Sequence, residues 1–524
     1  MESIQTRWNG WGAPGHDDPL ATNEPAWRWL AAAFGMPALL ATPPRELTDS
    51  VLPHSRLPES LRQKLVVLLG AAGLQQGDLE RARHAKGRGL RDLLRLRAGD
   101  LSTAPDAVAC PRTETEVIAL LRLCAEAGVA VIPFGGGTGA IDCARGDHQA
   151  ALVLDLSALN RVTSLDLVSG LAEAEAGLTG PELERQLGIS GMMLGHRPDD
   201  FEFSTLGGWI AQPLAGQEAA RYGEAADWLA GIRLATPQGL LTPSGVPDLA
   251  NLMLGSRGAL GVITSATIRV RARPQEEQHR AWLFPDFASG LAVMREAQRT
   301  AIPHAFLRLS DDGNTRLQRA LEEAGRETRF GARLFDIYLS VRRFDGGAAR
   351  LTAGFAGIGA DVISARQRFD GLAKRMGAIA LGRDRGWQDQ RFAAGYRRDT
   401  LLDRGVAMDQ LEVRASWARL PSLYVAVRAA LKQAMRNHAP RPGAHGLVLC
   451  EAGPAAPDGA TLTFTWVYPR ILDDGIRQAD SIRQAGLTAA QAGTKPDPLA
   501  RQALAGVKRA LDPKAILNPG VTIG

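Results

Sequence analysis

The chain has 524 residues, 45% hydrophobic and 22% charged, a composition that excludes disordered and fibrous proteins and leaves room for two to four domains with filled cores. Its 61 basic and 56 acidic residues give a formal net charge of +5, too thin an excess for a nucleic-acid-binding surface unless it gathers in one place. No apolar run approaches a membrane span, the best being the ten residues LVVLLGAAGL from Leu65, and the polar start MESIQTRWNGWG does not read as a secretory signal, so a cytoplasmic location is expected.

In EPAWRWLAAAFG, Trp27, Leu30 and Phe34 recur at helical intervals, and PESLRQKLVVLLGAAG does the same between Leu61 and Leu69. The one concentration of positive charge follows, RARHAKGRGLRDLLRLRAGD from Arg81. It reads as a solvated helix face, with phosphates or an anionic membrane surface as alternative partners. An α/β unit comes next: a short strand AVAC, a helix EVIALLRLCAEA opened by a capping box of Thr113 and Glu116 and closed by Gly128, and a second strand VAVIPF. That strand delivers the chain into PFGGGTG, residues 133–139. A glycine-rich turn can bring successive N–H groups against an anion because no Cβ intervenes, yet the same composition also makes an ordinary tight turn. The irregular AIDCARGDHQA beyond it lacks the helix that a mononucleotide fold would place there.

Two more glycine-bearing segments, GHRPDDFEFSTLGGWIA from Gly195 and LMLGSRGALGVITSATIRVRARP from Leu252, each open or close a strand, which suggests a ligand threaded along one sheet edge. From about Arg280 longer amphipathic patterns take over. DFASGLAVMREAQRT reads as a helix and RLFDIYLSVRRFDGG as a strand of a second α+β domain, and DPLARQALAGVKRALDPKAILNPG as a helix, an Asp-Pro turn and an Asn-Pro-Gly stop. Cys110, Cys124, Cys143 and Cys450 have no C-x-x-C spacing and read as reduced core residues; no metal site is expected.

These segments resemble a known family, the PCMH-type FAD-binding flavoproteins of the vanillyl-alcohol oxidase group, and within it the alkylglycerone-phosphate synthases. RWNGWGAPG is similar to the amino-terminal Trp-Gly stretch of that family and PFGGGTG to its pyrophosphate loop, while GHRPDDFEFSTLGGWIA is the most specific match. RYGEAADWLAGIRLATPQG, LGSRGALGVIT, AFLRLSD, AGYRRDTLLDRG, ASWARLPSLYVAVRAAL and LDPKAILNPG extend the likeness over most of the chain. The resemblance implies an α+β protein: a two-subdomain FAD-binding PCMH-type fold with an α+β cap domain and helical N- and C-terminal segments. The expected divisions are residues 1–100 as a helical segment, 101–275 as the FAD domain, 276–470 as the cap, and 471–524 as a helical segment returning to the FAD domain.

The resemblance also implies FAD bound without a covalent link. Its pyrophosphate would lie on the loop formed by Pro133, Gly135, Gly136, Gly137, Thr138 and Gly139, with Asp199, Phe203, Ser204, Thr205, Gly208, Gly255, Gly258, Gly261 and Val262 lining the rest. Arg398 would grip a substrate phosphate, with Arg308 near the same pocket. In the synthases the flavin exchanges the acyl group of an acyl-dihydroxyacetone-phosphate for the alkyl group of a fatty alcohol, an ether-lipid transferase reaction with no net redox change. The implied partners are a small-molecule substrate, with a membrane surface and a second copy of the chain as further candidates, and no nucleic acid.

The departures from the family fall on the chemistry. Where the synthases carry a Cys-His-x-Ser-His-like strand this chain reads CEAGPAAPDG from Cys450, Thr463 stands for a tyrosine, and AGLTAAQAGTK stands for a run of histidines. The exchange needs a base for a substrate carbon and later for the alcohol. Glu451, Thr463 and Gln491 occupy the matching positions, and only Glu451 is a candidate base. Gly139 replaces a serine, AQPLAGQ an arginine-bearing segment, and Arg257 stands where an acidic residue is common. His148 and His196 are candidates for a covalent flavin link, set against the commoner role of a histidine that hydrogen-bonds in a turn. Three readings stay open: a synthase-like flavoenzyme for an anionic, phosphorylated substrate with altered acid-base residues; an FAD-linked oxidase or dehydrogenase of a hydroxylated substrate; and a catalytically inactive FAD-fold binding protein.

Overall fold

Three larger sheets organise the computed structural model, which describes residues 6–139, 143, 146–242, 249–323, 344, 347–384, 386–491 and 498–521. The first sheet is the predicted α/β unit. Ala107–Ala109, Ala151–Asp155 and Ala130–Phe134 pair in parallel in that spatial order, with Leu74–Gln75 antiparallel at the far edge. Covered on both faces, these strands read as near-continuous apolar runs. The helix Glu114–Ala127 begins with Thr113 Oγ1 accepting the Glu116 N–H at 3.2 Å and ends at Gly128 with φ +64°. The second half of the predicted capping box falls one residue earlier: the Glu116 carboxylate accepts the Arg112 N–H at 2.6 Å.

The second sheet is antiparallel, in the order Val162–Asp166, Leu171–Glu175, Val262–Arg269, Leu229–Thr236, Gly239–Leu241. The third is a seven-stranded antiparallel cap sheet, in the order Ile379–Arg383, Glu276–Phe284, Ala349–Gly357, Phe306–Ser310, Leu447–Ala456, Gly459–Pro469, Val406–Ser416. One face of the cap sheet buries Leu307, Leu309, Ala452, Leu462 and Phe464 against the helices Phe287–Arg299, Gly359–Arg375 and Leu420–Asn437. Because successive side chains alternate across a strand, Arg308, Glu451 and Thr463 are left on the opposite face, which turns toward the first two sheets. The helix expected at DFASGLAVMREAQRT is therefore present, while the strand expected at RLFDIYLSVRRFDGG lies largely outside the described residues.

The chain end comes back to its beginning. Ile516 O accepts the Val131 N–H and Val131 O accepts the Asn518 N–H, each at 2.8 Å, so the NPG ending runs beside the strand that carries the glycine loop.

The basic segment after Arg81 corrects the expectation of a solvated face. Arg81 donates to the carbonyls of Pro105 and Pro53, and Arg88, 5% exposed, donates to the carbonyls of Gly10, Lys86, Gly87 and Arg7. Arg97 pairs with Asp399 at 3.1 Å and with Asp403. These guanidiniums tie together irregular chain that has no ladder of its own, which is why they are buried despite the hydration they give up.

Candidate cofactor and substrate site

The strand Ala130–Phe134 ends in the glycine loop, and the loop is held open by tight packing behind it. A Cβ at residue 136 would overlap the carbonyl oxygen of Phe203, and one at residue 135 would collide with Thr205 Oγ1, so both positions require glycine before any ligand is considered. No backbone hydrogen bond among the described residues engages the N–H groups of residues 135–139. Amides without a backbone partner, on a loop pressed against another loop, leave donors for a group outside the chain. Where serine is replaced, a Cβ on Gly139 would meet Gln212 Oε1 at 2.5 Å, so the Gln212 amide occupies the space of the missing hydroxyl.

This loop lines a cavity of about 780 Å³. Ser204, Thr205, Gly208, Gly258 and Gly261 line it too, as expected, joined by Asp200 and Arg257 from the same domain, Asn518 from the chain end, and Arg398, Asp409, Gln410 and Arg483 from the cap side. Arg91 and Arg95, on the helix Leu90–Arg97, stand over it. Arg257 adopts φ +49°, a left-handed conformation that costs a non-glycine residue about 1–2 kcal/mol, and it is held there by its N–H to Ala211 O and by the Asn518 amide on its carbonyl at 2.6 Å.

Among the described residues, two buried polar atoms at this cavity have no hydrogen-bond partner, Asp200 Oδ1 and Arg398 Nε. Burial pushes the Asp200 carboxyl upward, opposed by Thr138 and Ser204. Burial likewise pulls the Arg398 guanidinium down, offset by Asp409, Asp399 and Asp200, and its Cζ lies 5.6 Å from the Trp11 ring centroid. Free amides, basic side chains and unsatisfied buried polar atoms around a volume of this size fit a large anionic dinucleotide such as FAD.

A second, inner cavity of about 250 Å³ shares Gln410 with the first. Arg308, Arg350, Arg391 and Arg397 line it, each beside its own carboxylate: Glu451, Asp384, Glu218 and Asp18 respectively. An apolar cluster of Leu20, Leu30, Leu317, Leu401, Met408, Leu449 and Val467 lines it as well. Arg308 Nε lies 3.0 Å from Glu451 Oε1, and Arg308 Nη2 lies 3.8 Å from Asp199.

The expected residues therefore divide between two cavities. Arg398 lies on the wall of the larger one and Arg308 in the inner one, so the structure does not bring the two arginines into one substrate pocket. Asp199 also belongs to the inner pocket, while Phe203, Gly255 and Val262 support the loops from behind without lining the larger cavity. The carbonyl of Phe203 backs Gly136, and Val262 is fully buried in the core.

Gln491 ends the helix Gly475–Ala490, accepts from Arg419 at 2.9 Å and lines neither cavity. His148 and His196 line neither one: His148 pairs with Ala515 O, and His196 is 1% exposed between Trp209 and Trp228. Sequence reasoning missed Gln212, Asp409, Gln410, Arg483 and Asn518. Only Asn518 carried a signal, the NPG ending, because the others become site residues through pairing distant in the chain.

Residues 105–243 match the family model described as an FAD binding domain, and residues 273–467 and 487–522 match that of FAD linked oxidases, C-terminal domain. The chain is 31% identical over 459 residues to the alkyldihydroxyacetonephosphate synthase of Dictyostelium discoideum, covering 80% of this chain and 75% of that one. It is 26% identical to the corresponding Trypanosoma brucei brucei protein, covering 98% and 92%. A solved alkyldihydroxyacetonephosphate synthase superposes with a TM-score of 0.88 at 25% identity, over 99% of both chains. A p-cresol methylhydroxylase with bound substrate superposes with a TM-score of 0.65 at 14% identity, a likeness of fold.

Proposed function

Because this chain belongs to the PCMH-type FAD-binding flavoproteins, in the family that includes the alkyldihydroxyacetonephosphate synthases, we propose that it acts with FAD on an amphiphilic substrate carrying a phosphate and a long apolar chain. The observation that carries this reading is the mixed lining of the inner pocket, four arginines together with an aliphatic cluster, adjoining the cofactor cavity at Gln410. Planar guanidiniums suit a phosphate, which accepts several hydrogen bonds at once. The aliphatic lining suits the apolar chain and excludes water from it.

The residues present would hold FAD through the amides of residues 135–139 and through Arg257, with Arg398 and Arg483 closing the cap side. When bound, FAD supplies the reactive ring against which a substrate carbon is presented. The chain's own task is then to fix the anionic end with the inner arginines, shield the carbon from water, and move protons without the imidazoles of the synthases.

Purified protein loaded with FAD, palmitoyl-dihydroxyacetone-phosphate and a labelled hexadecanol should yield the ether product, but below the ordinary turnover range of about 1–10³ per second. Bleaching of the flavin by a small hydroxy acid, with no ether formed, would favour a dehydrogenase instead. That alternative draws on the 25% identity to a glycolate oxidase subunit of Bacillus subtilis over 40% of this chain.

A further inference from the structure

The cap sheet sets a row of polar residues across its inner face at the place where the histidine and tyrosine are missing. Glu451 is in register with Thr463 on one neighbouring strand, and Thr463 with Glu412 on the next, so the threonine lies between two carboxylates on adjacent strands. Glu412 follows Gln410 by two residues and so faces the same side of the sheet as Gln410 and Thr463, exposed beside the inner pocket rather than in its lining. Arg308 ties the row together, ion-paired to Glu451 and close to Asp199 on the loop opposite.

We propose that Glu451 and Glu412, with the Thr463 hydroxyl between them, form the proton-handling group of this enzyme, and that Arg308 is their positioning residue. This rests on the substrate reading above. In the first half-reaction a carboxylate takes the proton from the ester-bearing carbon beside the carbonyl: the C–H bond breaks, a carboxyl O–H forms, and the electron pair stays on the substrate. In the second half the alcohol O–H breaks, its proton goes to a carboxylate, and the oxygen electron pair forms the ether bond. The ester C–O bond breaks with its electron pair on the departing fatty carboxylate. The carbon's own pair passes to FAD, when bound, so that the oxygen can bond there, and that pair returns to the carbon with the held proton, so no oxidant or reductant is consumed overall. Two carboxylates are required because two protons are in transit at different stages.

The surroundings favour such a role. Asp199, Arg308, Glu412 and Glu451 are the charged groups that face one another here, and three carboxylates share a single guanidinium. Glu412 is exposed to solvent on one side and close to Asp199, Arg308 and Glu451 on the other. The lost hydration pushes its carboxyl above the usual range, Asp199 and Glu451 push it further, and Arg308 opposes them. A carboxyl raised in this way is better matched to proton transfer near neutral pH.

Deuterium exchange tests the group without turnover. FAD-loaded protein incubated in D₂O with palmitoyl-dihydroxyacetone-phosphate and no alcohol should return substrate one mass unit heavier. Glu451→Gln, which removes the carboxylate lining the pocket, should slow that exchange by about a hundredfold or more, while Glu412→Gln should spare the exchange and slow ether formation to a similar degree once alcohol is added. Thr463→Val should slow the exchange, and Thr463→Ser should restore it. The acid limb of the exchange-rate profile should move to lower pH in Glu412→Gln. Flavin absorbance and the thermal midpoint check folding; if Glu451→Gln does not fold, Glu412→Gln and Thr463→Val carry the test. Exchange that survives Glu451→Gln, or ether formation that survives Glu412→Gln, overturns the proposal and leaves the substrate reading standing. No exchange in the wild type, with flavin bound, overturns both.

Discussion

At the scale of single residues, two positions separate cofactor binding from stability. Arg257 holds a strained left-handed backbone at the edge of the cofactor cavity. Asn tolerates that conformation better and lacks the charge, so Arg257→Asn should leave the apoprotein at least as stable while weakening FAD binding by about 1.5–3 kcal/mol, the scale of a charged hydrogen bond. Fluorescence titration with FAD and a thermal scan of the apoprotein check the two halves. His196 makes the opposite case. Among the described residues neither ring nitrogen has a hydrogen-bond partner, and burial pulls its pKa from 6.5 to about 4. The unfolded chain therefore binds a proton below 6.5 that the folded chain refuses until about 4. Stability is complete above pH 6.5 and falls by about 1.4 kcal/mol per unit as the pH drops through that window. His196→Leu should flatten this part of the profile of unfolding free energy against pH and leave FAD binding unchanged.

At the scale of elements, what matters is how loops and helices without ladders are pinned to one another. The side chain of Asp399, on the cap helix Ala394–Leu402, accepts the Trp11 N–H and pairs with Arg97 and Arg7, thereby joining the amino-terminal segment, the helix Leu90–Arg97 and the cap. Asp399→Ala removes the partner of a buried guanidinium and should cost about 3–5 kcal/mol in urea unfolding. Asp403, which also pairs with Arg97 but has a side chain 48% exposed, should cost less than about 1 kcal/mol when changed to alanine. The glycine loop obeys the same logic. Gly136→Ala drives a methyl group into the Phe203 carbonyl, so it should destabilise the apoprotein by at least about 1–3 kcal/mol as well as releasing flavin. A variant that loses flavin at full stability would show that the loop opens without disturbing its neighbour.

At the scale of the whole molecule, the cofactor cavity is walled by the chain's beginning, its end and its cap. Because Asn518 bonds Val131 and also braces Arg257, the tail is part of the cage. Saturation with FAD at a hundred times its dissociation constant should add about 2.7 kcal/mol to stability. The same addition should slow amide exchange at Val131 and Asn518 together. Slower exchange confined to the glycine loop would mean that the tail does not take part.

The sequence alone determined the elements whose signals are local. Apolar runs bounded by Thr113, Gly128 and the glycine loop marked the α/β unit, and the HRPDDFEFSTLGG and LDPKAILNPG stretches marked the flavoprotein family, because capping, turn chemistry and loop motifs are written within a few residues. Tertiary structure decided everything that depends on register between distant strands. It separated Arg398 from Arg308, buried Arg81, Arg88 and Arg97 of the segment that local pattern made a solvent face, and set Thr463 between Glu412 and Glu451. A basic helix looks the same in sequence whether water or carbonyl groups surround it. Which residues meet across a sheet is fixed by pairing that brings together positions more than a hundred residues apart, such as 308 and 451.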